Sequence, residues 1–315
     1  MEDLFSQSSI AGIVGNIAPD ELTFEKAIAA FQNIYMASRN LSPRTREEYK
    51  SDVCQLAAFL NAHAIVKPAE VSLSHLQSFL AHLDATRLSG ITRRRKTSSI
   101  RSFFGFLTTS NLIPHNPTQQ LVPPEREYKE PRYLTTGKYT ALLRACSHEP
   151  RDAAIIELIL QTGIKLSEVA RLTIHDVELP ARISRDPSNT GRISIQGKGK
   201  KNRTLPINYK AGQALKSWLA IRPDVESTAL FLTKYRQILG SRSIQDIVSK
   251  YLKEAGILGA SCHDLRHTFA VHHAIKGTDL RTIQTALGHA NLKTTSIYIS
   301  LAKTALSQQL QEHAL

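Results

Sequence analysis

Between Pro114 and Leu134 the chain carries five prolines, in "PHNPTQQLVPPEREYKEPRYL". Proline has no backbone N–H and its ring clashes with the preceding helical turn, so this segment cannot continue as a regular helix. It reads as an extended linker. It divides 315 residues into two parts, each long enough to bury a core of its own. The expected organisation is a loose arm at 1–20, a helical unit at 21–113, the linker at 114–134 and a second domain at 135–315.

The first part reads as a small all-helical bundle. "LTFEKAIAAFQNIYMASR" places Phe24, Ala27, Ile28, Phe31, Ile34 and Tyr35 at helical spacing. In the next segment Ser42 suits an N-cap and Pro43 the first helical position, and Tyr49, Val53, Leu56 and Leu60 make one face. "SLSHLQSFLAHL" and "TRRRKTSSIRSFFGFLTTSNLI" give two more helices. The last of these opens on Arg93, Arg94, Arg95 and Lys96, followed by Arg101. Such a run is either a solvated face or a set of phosphate contacts.

The charge balance puts phosphate contact on a level with the solvated face. Forty Lys plus Arg stand against 27 Asp plus Glu, a net +13 with a pI near 9.7. A protein this basic commonly meets a polyanion, most often nucleic acid. Cys54, Cys146 and Cys262 lie far apart with no Cys-x-x-Cys pair, which suits reduced thiols. No apolar run approaches the roughly 20 residues of a membrane span. The first twenty residues hold no Lys or Arg and so lack the basic start of a secretory signal. A cytoplasmic protein with no membrane association is expected.

The second part reads as mostly helical with one small sheet. "TTGKYTALLRAC", "PRDAAIIELILQTG" with Gly163 as C-cap, and "KLSEVARLTIHDV" are expected helices. "GRISIQ" and "NRTLPI" alternate around a "GKGK" turn and form a hairpin. The fold class is therefore mainly α, with a small β-sheet in an α+β second domain.

"CHDLRHTFAVHHAIKG" concentrates four histidines and an arginine. A metal site is weakly supported. His263 and His267 share a helical face, but no glutamate follows the first histidine, and no further ligand stands at a useful spacing. A core helix with Leu265, Phe269 and Ile275 inward is a second reading. A phosphate site is the third, because His263 and Arg266 lie three apart and together present hydrogen-bond donors. "DLRTIQTALGHANLKTTSIYISL" follows, with an apolar face at Leu280, Ile283 and Leu287 and a break at Gly288. A second helix then starts near Asn291. Taken alone it is a helix-turn-helix. Tyr298 falls nine residues after the turn histidine His289, beside Ile297 and Ile299 and off the most apolar face.

His263-x-x-Arg266, Leu287-Gly288-His289 and Tyr298, at these spacings, resemble the signature of the tyrosine recombinases, the phage-integrase family, in their two-domain Xer-like and transposon-type form. The resemblance spans about residues 20–310. It implies an N-terminal helical core-binding (SAM-like) bundle and a C-terminal catalytic domain, clamped in a C shape around duplex DNA. It implies site-specific recombination through a 3′-phosphotyrosyl intermediate, with Tyr298 as nucleophile and Arg266 and His289 as phosphate donors. His263 matches the position that handles the tyrosine proton or bonds the phosphate. Lys198 in the hairpin turn matches the general acid for the leaving 5′-oxygen, with Lys200 and Lys201 beside it on the DNA. Glu168 matches an acidic residue that orients the first basic side chain.

That first basic position departs from the family. "TGIKLSEV" places Lys165 where an arginine is usual, which keeps the charge but loses the two-pronged fork. The alternative reading, a non-catalytic sequence-specific DNA-binding protein on the same fold, rests on this residue. A type IB topoisomerase is disfavoured by the two-domain layout. A second departure is the length from Lys165 to Lys198, taken up by a loop at Pro180–Gly191 that spares the site. The chemistry needs no cofactor and no metal, since the phosphotyrosyl bond stores the energy for rejoining. Expected partners are double-stranded DNA and copies of the same chain as a homotetramer on two sites, through "LAKTALSQQLQEHAL", with an accessory DNA-bending protein or partner recombinase as an addition. Nucleoid association would follow.

Overall fold

The computed structural model describes residues 21–125, 130–186, 188–197 and 202–312. The expected arm at 1–20 and the turn lysines Lys198, Lys200 and Lys201 lie outside the described residues. The chain divides into two compact units, Met1–Lys129 and Glu130–Leu315, and the division falls inside the proline-rich segment. That segment is not extended throughout. Thr118 and Leu121 are buried against the first unit, whereas the Leu134 N–H donates to Thr268 Oγ1 of the second at 2.8 Å. No helix among the described residues is long and apolar enough to cross a membrane.

In the first unit, α1 (Phe24–Ala30) starts at Thr23, whose Oγ1 accepts from the Lys26 N–H, and continues as a π-helical stretch over Phe31–Met36. Phe31 stacks on Tyr35 at 4.8 Å and meets Phe103 edge-on at 5.4 Å. α2 (Pro43–Asn61) starts at the Ser42 cap and buries Val53, Leu56 and Leu60, as expected. α3 (Leu73–Ala85) and α4 (Gly90–Thr109) close the bundle, with Ile100, Phe103, Phe104 and Leu107 inward.

The basic run on α4 has partners that the sequence reading did not foresee. Asp52 of α2, 1% exposed, accepts from Arg95 at 2.5 and 2.9 Å, from Lys96 at 2.8 Å and from Ser99 at 2.8 Å. Lys96 also donates to Gln55 at 2.7 Å and is 8% exposed. The expectation that Lys96 meets DNA phosphate is therefore corrected: its ammonium is inside, and burial of a charge is tolerated only when it is paired. Arg93 pairs with Asp84 at 2.9 Å, Arg94 donates to the Pro124 carbonyl at 2.9 Å, and Arg101 donates to the Leu121 carbonyl. Arg94 and Arg101 remain exposed residues.

The second unit is built around α6 (Pro150–Thr162), which follows α5 (Thr136–Cys146) and is buried on nearly every side from Ala154 to Leu160. A helix apolar all round belongs in a core. Gly163 ends it at φ 64°, and a Cβ there would come within 2.4 Å of Phe269, so only glycine serves. The expected helix after it is corrected. α7 covers only Leu166–Val169, and Ile174–Asp176 is a single 3-10 turn. β1 (Val177–Glu178) then joins β2 (Gly191–Gln196) and β3 (Asn202–Ile207) in an antiparallel sheet of order β1-β2-β3. Thr173, β-branched and extended where it bridges to Ala229, suits extended chain better than helix. Ile193 pairs with Leu205, which puts Ile193, Ile195, Leu205 and Ile207 on the buried face. α8 (Tyr209–Ile221) and α9 (Ser241–Glu254) complete this core, with Trp218 and Tyr251 inside.

A separate cluster forms between α10 (Cys262–Ile275), α11 (Leu280–Leu287) and α12 (Lys293–Glu312). It holds Phe269, Val271, Ile283, Leu287 and Leu301.

Candidate active site

Three chain reversals bring the site together: the end of α6, the turn after α11 and the start of α10. Both helix ends stop on a left-handed glycine, Gly163 and Gly288. Such ends leave backbone carbonyls without helical donors. Two arginines supply them. Arg266 of α10, buried, donates to the Gly163 carbonyl from one guanidinium nitrogen and to the Leu287 carbonyl from the other. Arg203 of β3 donates from Nε to the Ala286 carbonyl at 2.9 Å. Gly288 suits its place because a φ of 63° strains any other side chain, and a Cβ would also crowd the Arg203 guanidinium at 2.9 Å.

Glu168 is the third corner. Its carboxylate accepts the Lys165 backbone N–H at 2.8 Å, as the N3 residue of short α7. It accepts the Arg203 guanidinium in a two-pronged pair at 2.9 and 2.8 Å. The expectation that Glu168 orients the Lys165 side chain is corrected: the side chain it holds is that of Arg203. The Lys165 ammonium makes no hydrogen bond among the described residues. It stands half-buried beside Glu168 with Arg266, Arg203 and Arg171 near it.

His289 follows Gly288, and its Nδ1 lies 2.9 Å from Thr295 Oγ1. Its ring stands 6.4 Å from that of Tyr298, nearly parallel. Tyr298 is 2% exposed and sits in the cluster of α10, α11 and α12, which corrects its expected place off the apolar face. Its hydroxyl lies 2.8 Å from Nδ1 of His267. His263 is exposed, with its ring 6.5 Å from that of His267, and makes no hydrogen bond among the described residues.

The electrostatics favour an anion. Lys165, Arg203 and Arg266 surround one carboxylate, Glu168. Burial, then the charges of Arg266 and Lys165, push His289 from 6.5 down to about 4. Burial brings Arg266 down to about 10, which leaves it charged at neutral pH. Burial and the neighbouring arginines also lower Lys165, against the pull of Glu168. The Tyr298 phenol is raised by burial and eased back by Arg266.

A pH dependence follows. The folded state withholds a proton from His289 between its ordinary value of 6.5 and about 4, whereas the unfolded chain takes it up. Protons thus favour unfolding in that window, and stability falls as pH drops through it. Histidine NMR titration of the free protein is expected to show His289 neutral down to about pH 5, and a duplex phosphate at the site to raise its midpoint.

Two members of the cluster were not singled out from sequence. His267 was weighed only as a metal ligand. Arg203 shares a strand face with Leu205 and Ile207, and a charge on the apolar face of a strand signals a buried partner. Of the loop expected to spare the site, Ser184, Arg185 and Asp186 line a cavity of about 910 Å³ with Tyr139, His272 and Lys276, and Lys165, Arg266, His289 and Tyr298 are not among its lining residues.

Both units resemble known proteins. Residues 132–305 match the phage integrase family, and residues 28–111 match the phage integrase N-terminal SAM-like domain. The chain belongs to the phage integrase family, the tyrosine recombinases. It is 36% identical over 284 residues to tyrosine recombinase XerC of Thermodesulfovibrio yellowstonii, covering 86% of this chain and 90% of the relative. Among solved structures, XerA recombinase matches with a TM-score of 0.51 at 26% identity, covering 92% of this chain and 99% of that one. XerH bound to its palindromic difH substrate matches at 0.72 and 21%, covering 96% and 87%.

Proposed function

We propose that this chain is a tyrosine-type site-specific DNA recombinase that breaks and rejoins duplex DNA through a 3′-phosphotyrosyl intermediate. The observation that carries the reading is Tyr298, which feels the charge of Arg266 and stands ring to ring with His289, in a site where Lys165, Arg203 and Arg266 are balanced by one carboxylate. Phosphoryl transfer asks for positioning and for charge on the non-bridging oxygens, and a cluster of fixed cations supplies both.

In the reaction, Arg266 keeps its orientation through the Gly163 and Leu287 carbonyls and turns its remaining N–H groups to the phosphate. Lys165 adds a point charge, and His289 a neutral N–H. Tyr298 attacks phosphorus, the 5′-oxygen leaves, and Lys198 gives that oxygen its proton. Arg94 and Arg101, with Arg93, Lys200 and Lys201, are proposed phosphate contacts. A homotetramer on two DNA sites, joined through the last helix, is the proposed working assembly.

The test is covalent capture. Wild type and Tyr298→Phe are expressed with DNA of the source genome, lysed in denaturant, and protein-linked DNA is sequenced. Reproducible ends attached to wild type alone, formed equally well in EDTA and without ATP, are expected. Sequence-selective binding with no adduct would leave a DNA-binding protein in its place.

A further inference from the structure

We propose that His267 is a catalytic residue of this site, the base that holds the Tyr298 hydroxyl and takes its proton when the phenol attacks phosphorus. The inference deepens the recombinase reading and rests on it. Among the described residues, His267 is the group within hydrogen-bond distance of the Tyr298 hydroxyl, at 2.8 Å from Nδ1. With the proton of the imidazole on Nε2, Nδ1 has a free lone pair aimed at the phenol, and the phenol donates. The two rings are 5.7 Å apart, so the contact is between polar atoms and not a stacked pair of faces.

The surroundings favour a neutral imidazole that gains a proton only transiently. His267 is one turn after His263 on α10, on the side that faces α12. Its half-buried ring loses solvation, which lowers its proton affinity, while Asp264 raises it and His263 and Arg266 lower it. Tyr298 from α12, and His289 beside Tyr298, are the other titratable groups close by. Asp264 is turned to the Ser261 cap, accepting its N–H at 2.7 Å and its hydroxyl at 2.8 Å, so it does not compete for the imidazole. His263, exposed and free of the phenol, is left to face the phosphate.

The step balances without an added reactant. The Tyr298 O–H bond breaks and its proton passes to His267 Nδ1. The phenolic oxygen forms the bond to phosphorus, and the bond from phosphorus to the 5′-oxygen breaks with its electron pair on that oxygen. Rejoining runs the same steps backward, with the imidazolium returning the proton to the phenol.

The test uses the full chain and the duplex recovered from wild-type adducts, synthesised twice. One form has oxygen at the scissile 5′ position, the other sulfur, whose departure needs no proton. His267→Asn keeps a polar group of similar reach at the Nδ1 position but cannot take a proton. It is expected to bind the duplex like wild type and to form adduct about 100-fold more slowly on both forms, the usual size of a general-base effect. Wild-type rate should rise with pH and level off once His267 is neutral. The variant rate should keep climbing about tenfold per pH unit with the phenolate fraction. His263→Asn should retain the levelling, and His267→Gln serves as the second variant if His267→Asn melts early. Adduct formation by His267→Asn within threefold of wild type, or faster, would overturn the proposal and make the contact a latch on the resting tyrosine. A slow variant rescued by the sulfur substrate would overturn it too, by placing His267 on the leaving group. No adduct from wild type would overturn the recombinase reading itself, and this inference with it.

Discussion

Replacing Arg203 by methionine is expected to destabilise the C-terminal unit by about 3–5 kcal/mol, the cost of stranding one member of a buried ion pair. The Arg203 and Glu168 side chains are 11% and 4% exposed, and their two-pronged contact is short on both prongs. Methionine would fill much of the space of the arginine stem but leave the carboxylate with only the Lys165 backbone N–H. The same change removes the donor to the Ala286 carbonyl next to the Gly288 turn, so His289 loses a fixed base. Trp218 is the single tryptophan and lies in this unit, so its fluorescence in urea reads the loss directly. Glu168→Gln combined with Arg203→Met should recover part of it, because a neutral amide is less costly to bury alone.

The pH behaviour separates pairing from packing. Burial works to raise the Glu168 carboxyl, but the Arg203 hydrogen bonds and the Lys165 N–H hold it below its ordinary 4.5. A carboxylate lowered on folding adds stability that is full above 4.5 and drains away as pH falls through the folded value. Without Arg203, burial acts with less opposition, and protonation of Glu168 should then relieve the variant on acidification. The gap between wild type and Arg203→Met is thus expected to narrow below pH 4.5. A constant gap would make the role of Arg203 one of packing. Activity should fall as well, because an unpaired Glu168 is free to capture the Lys165 ammonium that the phosphate needs.

This triad shows where the sequence was legible and where it was not. Short-range chemistry could be read directly. Ser42 and Pro43 start α2, Gly163 ends α6, and the alternation of Ile193 and Ile195 against Leu205 and Ile207 is the hairpin. The closeness of Arg266, His289 and Tyr298 was legible too, because a helix and a fixed turn translate spacing into position, whereas His263 stays exposed. What escaped was pairing at a distance. Glu168 and Arg203 stand 35 residues apart, and Asp52 and Lys96 stand 44 apart. No local pattern says which of several nearby cations a carboxylate will choose. β1 escaped for another reason: two residues hold no alternation, and the strand exists because β2 offers it an edge. Lys165 looked like a loss of binding power when read alone. Beside Arg203, it is the cation that Glu168 leaves available.

Asp52→Ala is expected to lower the stability of the N-terminal unit by a similar amount, about 3–5 kcal/mol, for the same physical reason on the opposite charge. The substitution strands the Lys96 ammonium with only Gln55, and frees Arg95 and Ser99 of their shared acceptor. Far-UV circular dichroism follows both units, whereas Trp218 reports only the second, so the helical signal should fall at lower urea than the fluorescence. Lys96→Met added to Asp52→Leu should restore much of the loss, since replacing a buried ion pair by apolar groups of similar volume is often neutral. Lys96→Met alone discriminates between a structural and a DNA-facing lysine. Removing a phosphate contact lowers the slope of log affinity against log salt by about one. That reduction is expected for Arg94→Gln and for Arg101→Gln, whose side chains stay at the surface, and no reduction is expected for Lys96→Met. A reduced slope with Lys96→Met would mean that DNA draws the ammonium out of its pair with Asp52, and that this pair is a resting contact broken on binding.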